Sequence, residues 1–194
     1  MELQPNRNIS ESVLHDRRSI NLLKRILPDN CVDCSQLQEG GTLPNIDGYL
    51  EILDENGIAR EKITVQVKHL TYPEKNGKVF YDIPESVYAY AKIHKGELVF
   101  FIACDYASRK FYWRNIDTAA IEEFKNKSDR IRTKARYYFK DNEKCGEKNV
   151  DATIDHWRQL YKQKMESIKD DKYLADQFAS RQKMCFNAVS SELH

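Results

Sequence analysis

Asp47, Gln66 and Lys68 are the residues whose types and spacing point to chemistry in this chain of 194 residues. They fall in two short alternating runs, Asn-Ile-Asp-Gly-Tyr-Leu-Glu-Ile (45–52) and Ile-Thr-Val-Gln-Val-Lys-His-Leu (63–70). A carboxylate and a side-chain carbonyl on neighbouring strands offer hard oxygen ligands to a cation such as Mg²⁺ and leave positions open for water. An ammonium group beside them can stabilise developing negative charge and help orient an attacking water. Those are the needs of phosphodiester hydrolysis: a polarised phosphate, an activated water and relief of the charge that builds up.

Such a set works only if one surface carries it. Ile46, Gly48, Leu50 and Ile52 alternate with Asp47, Tyr49, Glu51 and Leu53, while Ile63, Val65 and Val67 alternate with Thr64, Gln66 and Lys68. Between the runs lies Asn56-Gly57, a strong signal for a two-residue hairpin turn. With those two as the turn, Ile46 faces Val67, Gly48 faces Val65 and Leu50 faces Ile63 on one side. On the other, Asp47 faces Gln66, Tyr49 faces Thr64 and Glu51 faces Lys62. A slip of one residue would mix the apolar and polar sets, so pattern and turn agree on this register. Asp47 and Gln66 are thus expected side by side, with Lys68 one step along the same face.

The remaining elements have to hold that hairpin. A helix is expected from Ser10, its N-cap, to about Leu27, stopped by Pro28. Ile9, Val13, Ile20, Leu23 and Leu27 form its inward arc, and Asp16 falls inside that arc whereas Glu11 falls opposite it; Leu14, Leu22 and Ile26 lie outside it, which leaves a second side open to cover. Residues 31–38 read as a short strand and 78–83 as another. Pro84 opens a helix that ends near Gly96. Glu97–Cys104 is a continuous apolar run, the mark of a strand covered on both faces. Residues 109–116 read as its hairpin partner and 117–126 as a helix. The strict alternation at 130–140 favours a strand whose outer row is Arg130, Arg132, Lys134, Arg136 and Tyr138. From Val150 onward the spacing is helical, with a last helix expected over 172–190. The fold class is therefore α/β: a mixed central sheet flanked by helices. The expected domain spans 9–140, and 141–194 forms a helical extension or a link to a partner domain.

The balance of 31 basic against 30 acidic residues gives a formal net charge of +1, so no global attraction to a polyanion follows. Any nucleic-acid surface must be local, and the row Arg130, Arg132, Lys134 and Arg136 is the candidate; a solvated strand face is the plain alternative. No apolar run approaches the length of a membrane helix, and the first residues lack the apolar stretch of a signal peptide. With five unframed cysteines, these features suit a cytoplasmic protein with free thiols. Cys31-x-x-Cys34 has no second pair and no spaced histidines, so it does not make a zinc site.

The motif Asn-Ile-Asp-Gly-Tyr-Leu-Glu-Ile followed by Ile-Thr-Val-Gln-Val-Lys resembles the Asp…(Glu/Gln)-x-Lys signature of PD-(D/E)XK nucleases. More narrowly, it is similar to a bacterial group with Gly-Ile-Asp-Gly…Glu followed by Val-Gln-Val-Lys, often found at the N-terminus of larger proteins that include antiphage defence ATPases. The resemblance covers about residues 10–120. It implies a restriction-endonuclease-like core, dependence on Mg²⁺ or Mn²⁺, and cleavage of nucleic acid, double-stranded DNA first. By position it makes Asp47 and Gln66 cation ligands, Lys68 the catalytic ammonium and Asp16 the acid from the first helix; Glu51 is a further candidate ligand. Asn45 stands where that group usually has glycine, and Gln66 replaces the superfamily's commoner glutamate. The rival expectations are a non-cleaving nucleic-acid-binding module of the same fold, and a protein-interaction or oligomerisation module built on the C-terminal helices. Those helices could serve self-association or docking to an ATPase-type partner.

Overall fold

The hairpin that carries Asp47, Gln66 and Lys68 lies in the main sheet of the computed structural model. The structure describes residues 11–38, 46–71, 78–126 and 133–191, with Ser12 and 173–191 described by backbone alone. Arg130, Arg132, Asn45 and the N-cap expected at Ser10 lie outside the described residues. Strands β2 (Gly48–Leu53) and β3 (Ala59–His69) pair antiparallel, with Gly48 opposite Val65, Tyr49 opposite Thr64, Leu50 opposite Ile63 and Glu51 opposite Lys62. That is the register expected from the alternation.

The turn that makes it differs from expectation. Leu53 pairs with Ala59 and the Asp54 amide donates to the Ile58 carbonyl, so three residues, Glu55 to Gly57, span the turn. Gly57 takes the left-handed position at φ 73°, as three-residue hairpin loops require. The ladder then shifts between Ile52 and Leu53, leaving Arg60 as an extra residue. The bulge cancels the longer turn, and the predicted pairing holds from Ile52 onward. The Asp54 carboxylate fastens the loop by accepting the amides of Asn56 and Ile58, both at 2.9 Å, and the Arg60 side chain at 2.8 Å.

The hairpin is flanked on one side by β1 (Val32–Asp33) and on the other by β5 (Leu98–Asp105), β6 (Lys110–Asn115) and β8 (Lys144–Cys145). β3 and β5 run parallel and the other neighbours antiparallel, so the sheet is mixed. All eight residues of β5 are buried, as its unbroken apolar run predicts. The strand expected over 31–38 shrinks to two residues, and Cys34 lies beyond it. β4 (Phe80–Pro84) and β7 (Lys134–Tyr138) form a separate antiparallel pair. β7 alternates exposed and buried, with Lys134, Arg136 and Tyr138 outward and Ala135 and Tyr137 inward.

Each face of the main sheet has its own core. On the first, Ile63, Val65 and Val67 of β3 and Leu98, Phe100 and Ile102 of β5 meet helix α1 (Glu11–Ile26) and the start of helix α4 (Val150–Ser191). The buried side of α1 is Ile20, Leu22, Leu23 and Ile26, continued by Leu27. The buried side is wider than the expected arc: Leu22 and Ile26 turn inward, as cover on a second side of the helix would place them, and Val13 is 40% exposed. On the second face, Val99, Phe101 and Ala103 meet α2 (Glu85–Ile93), α3 (Thr118–Asn126) and the β4–β7 pair. Buried Glu143 ties this layer to the sheet by accepting Tyr137 Oη at 2.7 Å and Arg114 Nη1 at 3.3 Å.

Residues 141–161 contribute directly to the first core. Cys145 sits in the sheet edge, and Val150, Ile154 and Trp157 of α4 are buried against it. Where two helices were expected, one helix of 42 residues runs through. Neither glycine nor proline interrupts 150–191, so nothing in the chain breaks the hydrogen-bonding ladder. Trp157 is fully buried, with Phe100, Phe111 and Trp113 rings 5.5, 6.0 and 5.8 Å away. Trp157→Ala is therefore expected to cost about 3–5 kcal/mol and to lower Tm by roughly 10 °C. Thermal melts of the two proteins check this; a variant melting within a degree or two of the parent would detach α4 from the core.

Candidate active site

Gly48 is the residue that lets the chain reach Asp47. Its φ of 134° favours glycine, and a Cβ there would stand 2.2 Å from the Gln36 carbonyl oxygen. The 34–38 loop can thus cross over the strand, where the Gln38 amide takes the Asp47 carbonyl at 2.9 Å. The Asp47 amide donates to Val65, although Gly48 is Val65's register partner, so the ladder is irregular at this point. Asp47 Oδ2 then accepts the Val67 amide at 2.7 Å. The carboxylate is thereby fixed against β3, 8% exposed.

Gln66 and Lys68 stand level with Phe101 and Ala103 of the parallel neighbour β5. Both pairs share the second face of the sheet, since side chains alternate along a strand. Gln66 is 2% exposed, and among the described residues its Oε1 has no hydrogen-bond partner. Lys68 Nζ lies 3.6 Å from Asp16 Oδ1. Asp16 gets there because the first turns of α1 overhang the C-terminal end of β3, where the next pair of residues, His15 and His69, stack with ring centroids 4.4 Å apart. Burial pushes the Asp47 carboxyl above the ordinary carboxylate value; Lys68 and the Val67 amide pull it down, and Asp16 adds to the rise. The phenol of Tyr81 on β4 is likewise raised, by burial first and then by the charges of Asp16 and Asp82, which brings Tyr81 to the same site. Nothing in the alternation of β4 marks it.

The structure thus brings together Asp47, Lys68 and Asp16, with Gln66 one step from Lys68 on the same face of β3; Asp47 lies just outside the ladder, so its expected pairing with Gln66 is not formed. It keeps Glu51 apart: that residue lies four positions along β2, about 13 Å at strand spacing, opposite Lys62 and beside Asp33. Of the basic row, Lys134 and Arg136 are exposed on β7. Arg136 is engaged in a two-pronged ion pair with Asp82, at 2.7 and 2.9 Å, and lies over the Phe80 ring.

A groove of about 460 Å³ opens beside Asp47 and is lined further by Tyr49, Lys62, Thr64, Tyr90, His94 and Glu97. The sequence offered no partner for His94; the structure gives it Glu97 and Tyr90. A larger depression of about 530 Å³, between the β5–β6 turn and the start of α4, shares no residue with Asp47 and its partners.

The hard-oxygen character of Asp47 and of the orphaned Gln66 carbonyl fits a small divalent cation. No cluster of three His, Cys, Asp or Glu side chains suited to a metal occurs among the described residues. An ion here would therefore rest on Asp47 and the neutral Gln66, with water or substrate completing its shell.

No protein-family model matches the chain, and no curated protein matches it. Among solved structures, D212, a nuclease from a fusselovirus, is similar over 83% of this chain and 99% of its own, with a TM-score of 0.39 and 18% identity. A likeness of that size does not establish a shared fold.

The raised carboxyl gives a testable pH dependence. Folded Asp47 holds its proton more tightly than the ordinary carboxyl, at 3.8, would, so ionising it works against folding. Its contribution is complete below that value and lost as pH rises through the folded value. Asp47→Asn keeps an acceptor for the Val67 amide without the charge. It is expected to melt above the parent near pH 7, with the advantage vanishing as pH falls toward the ordinary carboxyl range. A variant less stable than the parent throughout would mean that the charge is stabilising.

Proposed function

We propose that this chain is a Mg²⁺- or Mn²⁺-dependent endonuclease of the PD-(D/E)XK type that hydrolyses DNA phosphodiester bonds. One observation carries the reading: a buried carboxylate, an unpartnered buried amide carbonyl and an ammonium group share one sheet face, with Asp16 reaching them from α1. Burying polar groups in this way opposes folding, so the arrangement is poorly explained as a solvated surface. The chemistry of those groups and the motif they occupy support the reading together.

Asp47 and the Gln66 carbonyl would hold the cation, which when bound polarises the phosphate and lowers the pKa of water. Lys68, held by Asp16, is placed to orient the attacking water and to offset charge that develops on the phosphate. Asp16, 3.6 Å from Lys68 Nζ, also limits where the ammonium can sit. DNA as substrate and a role in antiviral defence rest on the motif's resemblance to nuclease domains of defence proteins. Assembly through α4, with a second copy or a larger ATPase, belongs to the same proposal; the sequence of its distal half supports it.

Nicking of supercoiled plasmid with Mg²⁺, with Mn²⁺ and with EDTA tests the proposal. Cleavage is expected with either ion and not with EDTA. Lys68→Ala is expected to lower the rate about 100-fold or more. Cleavage by Lys68→Ala at the parent rate would remove that residue from the mechanism, and a metal-independent rate would remove the cation.

A further inference from the structure

The groove beside Asp47 contains a polar assembly that the proposed chemistry does not use. Along β3 the second face carries Lys68, Gln66, Thr64 and Lys62 at successive steps of about 6.6 Å; the first two belong to the proposed chemistry and the last two line the groove. One wall is Tyr49, with Lys62 Nζ 3.7 Å from its ring centroid. The other is the last turn of α2, where Tyr90 and His94 stack with centroids 4.1 Å apart and planes 13° from parallel. Glu97 fastens that wall: its Oε2 accepts Thr64 Oγ1 at 2.7 Å and Tyr90 Oη at 3.0 Å, and its Oε1 lies 3.2 Å from His94 Nδ1.

We propose that this groove binds the nucleotide flanking the phosphate under attack, with its base on the Tyr90–His94 ring pair and its phosphate against Lys62. The inference rests on the nuclease reading for the identity of its ligand. Aromatic faces beside cations are the ingredients of sequence-tolerant binding to a nucleic-acid strand. The polarity follows from charge. Burial works against the ionised Glu97, but the Thr64 and Tyr90 hydroxyls and the His94 ring outweigh it and hold its carboxyl below the ordinary value. An anionic carboxylate beneath the stacked rings repels phosphate from that wall, leaving Lys62 on the opposite lip to receive it. His94 is also 41% exposed, which leaves ring surface for a base while Glu97 fixes the ring's orientation.

The test uses the full chain in EDTA, so that binding is read without cleavage. A short fluorescent single-stranded oligonucleotide is titrated by anisotropy, and dAMP is titrated by NMR. Saturable dAMP shifts are expected at the rings of Tyr90 and His94. His94→Ala and Lys62→Ala are each expected to weaken oligonucleotide binding about tenfold. Lys95→Ala, which removes a neighbouring exposed cation, is expected to leave it within about twofold, as loss of one solvated charge should. Equal weakening by Lys95→Ala would reduce the effect to bulk charge and overturn the proposal. So would parent-like binding by both groove variants, or dAMP shifts confined to other residues. Plasmid nicking is measured separately: a parent that nicks while the groove variants bind normally loses this inference and keeps the nuclease reading, and the reverse result does the opposite.

Discussion

The hydrogen bond from the Val67 amide to Asp47 Oδ2, 2.7 Å long, exchanges strand pairing for a poised side chain. A side-chain oxygen of Asp47 serves a buried amide of the central strand, so the chain need not continue as regular β-ladder at that point. Its main chain is free to turn at Gly48 and to accept the Gln38 amide, which draws the 34–38 loop over the strand. A carboxylate held this way is removed from water and needs a counter-charge. Lys68 provides it from the same strand and is itself held by Asp16. One buried carboxylate thus couples the loop, the hairpin and the first turns of α1.

That dependence explains how much of the site was legible in the sequence. Period-two alternation over 46–53 and 63–68 carried both register and face, because only one register keeps Leu50, Ile63 and Val65 together in a core. The turn was misread, since Asn56-Gly57 fits a two-residue hairpin and the three-residue form differs only in where the left-handed residue falls. Arg60 restores the register, so the error never reached the site. Asp16 was legible because a carboxylate interrupts an apolar arc; the true buried side of α1 was less so, because Leu22 and Ile26 lie outside that arc and are covered only by tertiary packing.

Features that depend on distant partners left no such trace. Arg136 belongs to a regular basic row, yet its two-pronged pairing with Asp82 follows from β4 lying beside β7, which no local pattern encodes. His94 and Glu97 are three residues apart at a helix end and look like ordinary surface residues. Only the crossing of β3 beneath them, with Thr64 reaching Glu97, makes a cluster. Similarly, β8 is two residues long and has no periodicity to read, and Trp157 looks like any apolar position on a long helix until the sheet is placed under it.

Gln66 shows how the demands of folding limit the charge a buried position can carry. It is 2% exposed and adjoins a buried carboxylate whose proton affinity is already raised by burial and by Asp16. A glutamate there would set a third acid around the single ammonium of Lys68, and without a cation it would carry both the desolvation cost and the repulsion of Asp47. Neutral glutamine supplies a carbonyl oxygen without that charge. The cost of its unpartnered Oε1 is that of a buried dipole, on the order of 1–3 kcal/mol, well below that of an uncompensated ion. The raised proton affinity of Asp47 and the neutrality of residue 66 therefore act in the same direction, limiting the charge that this part of the sheet must bury.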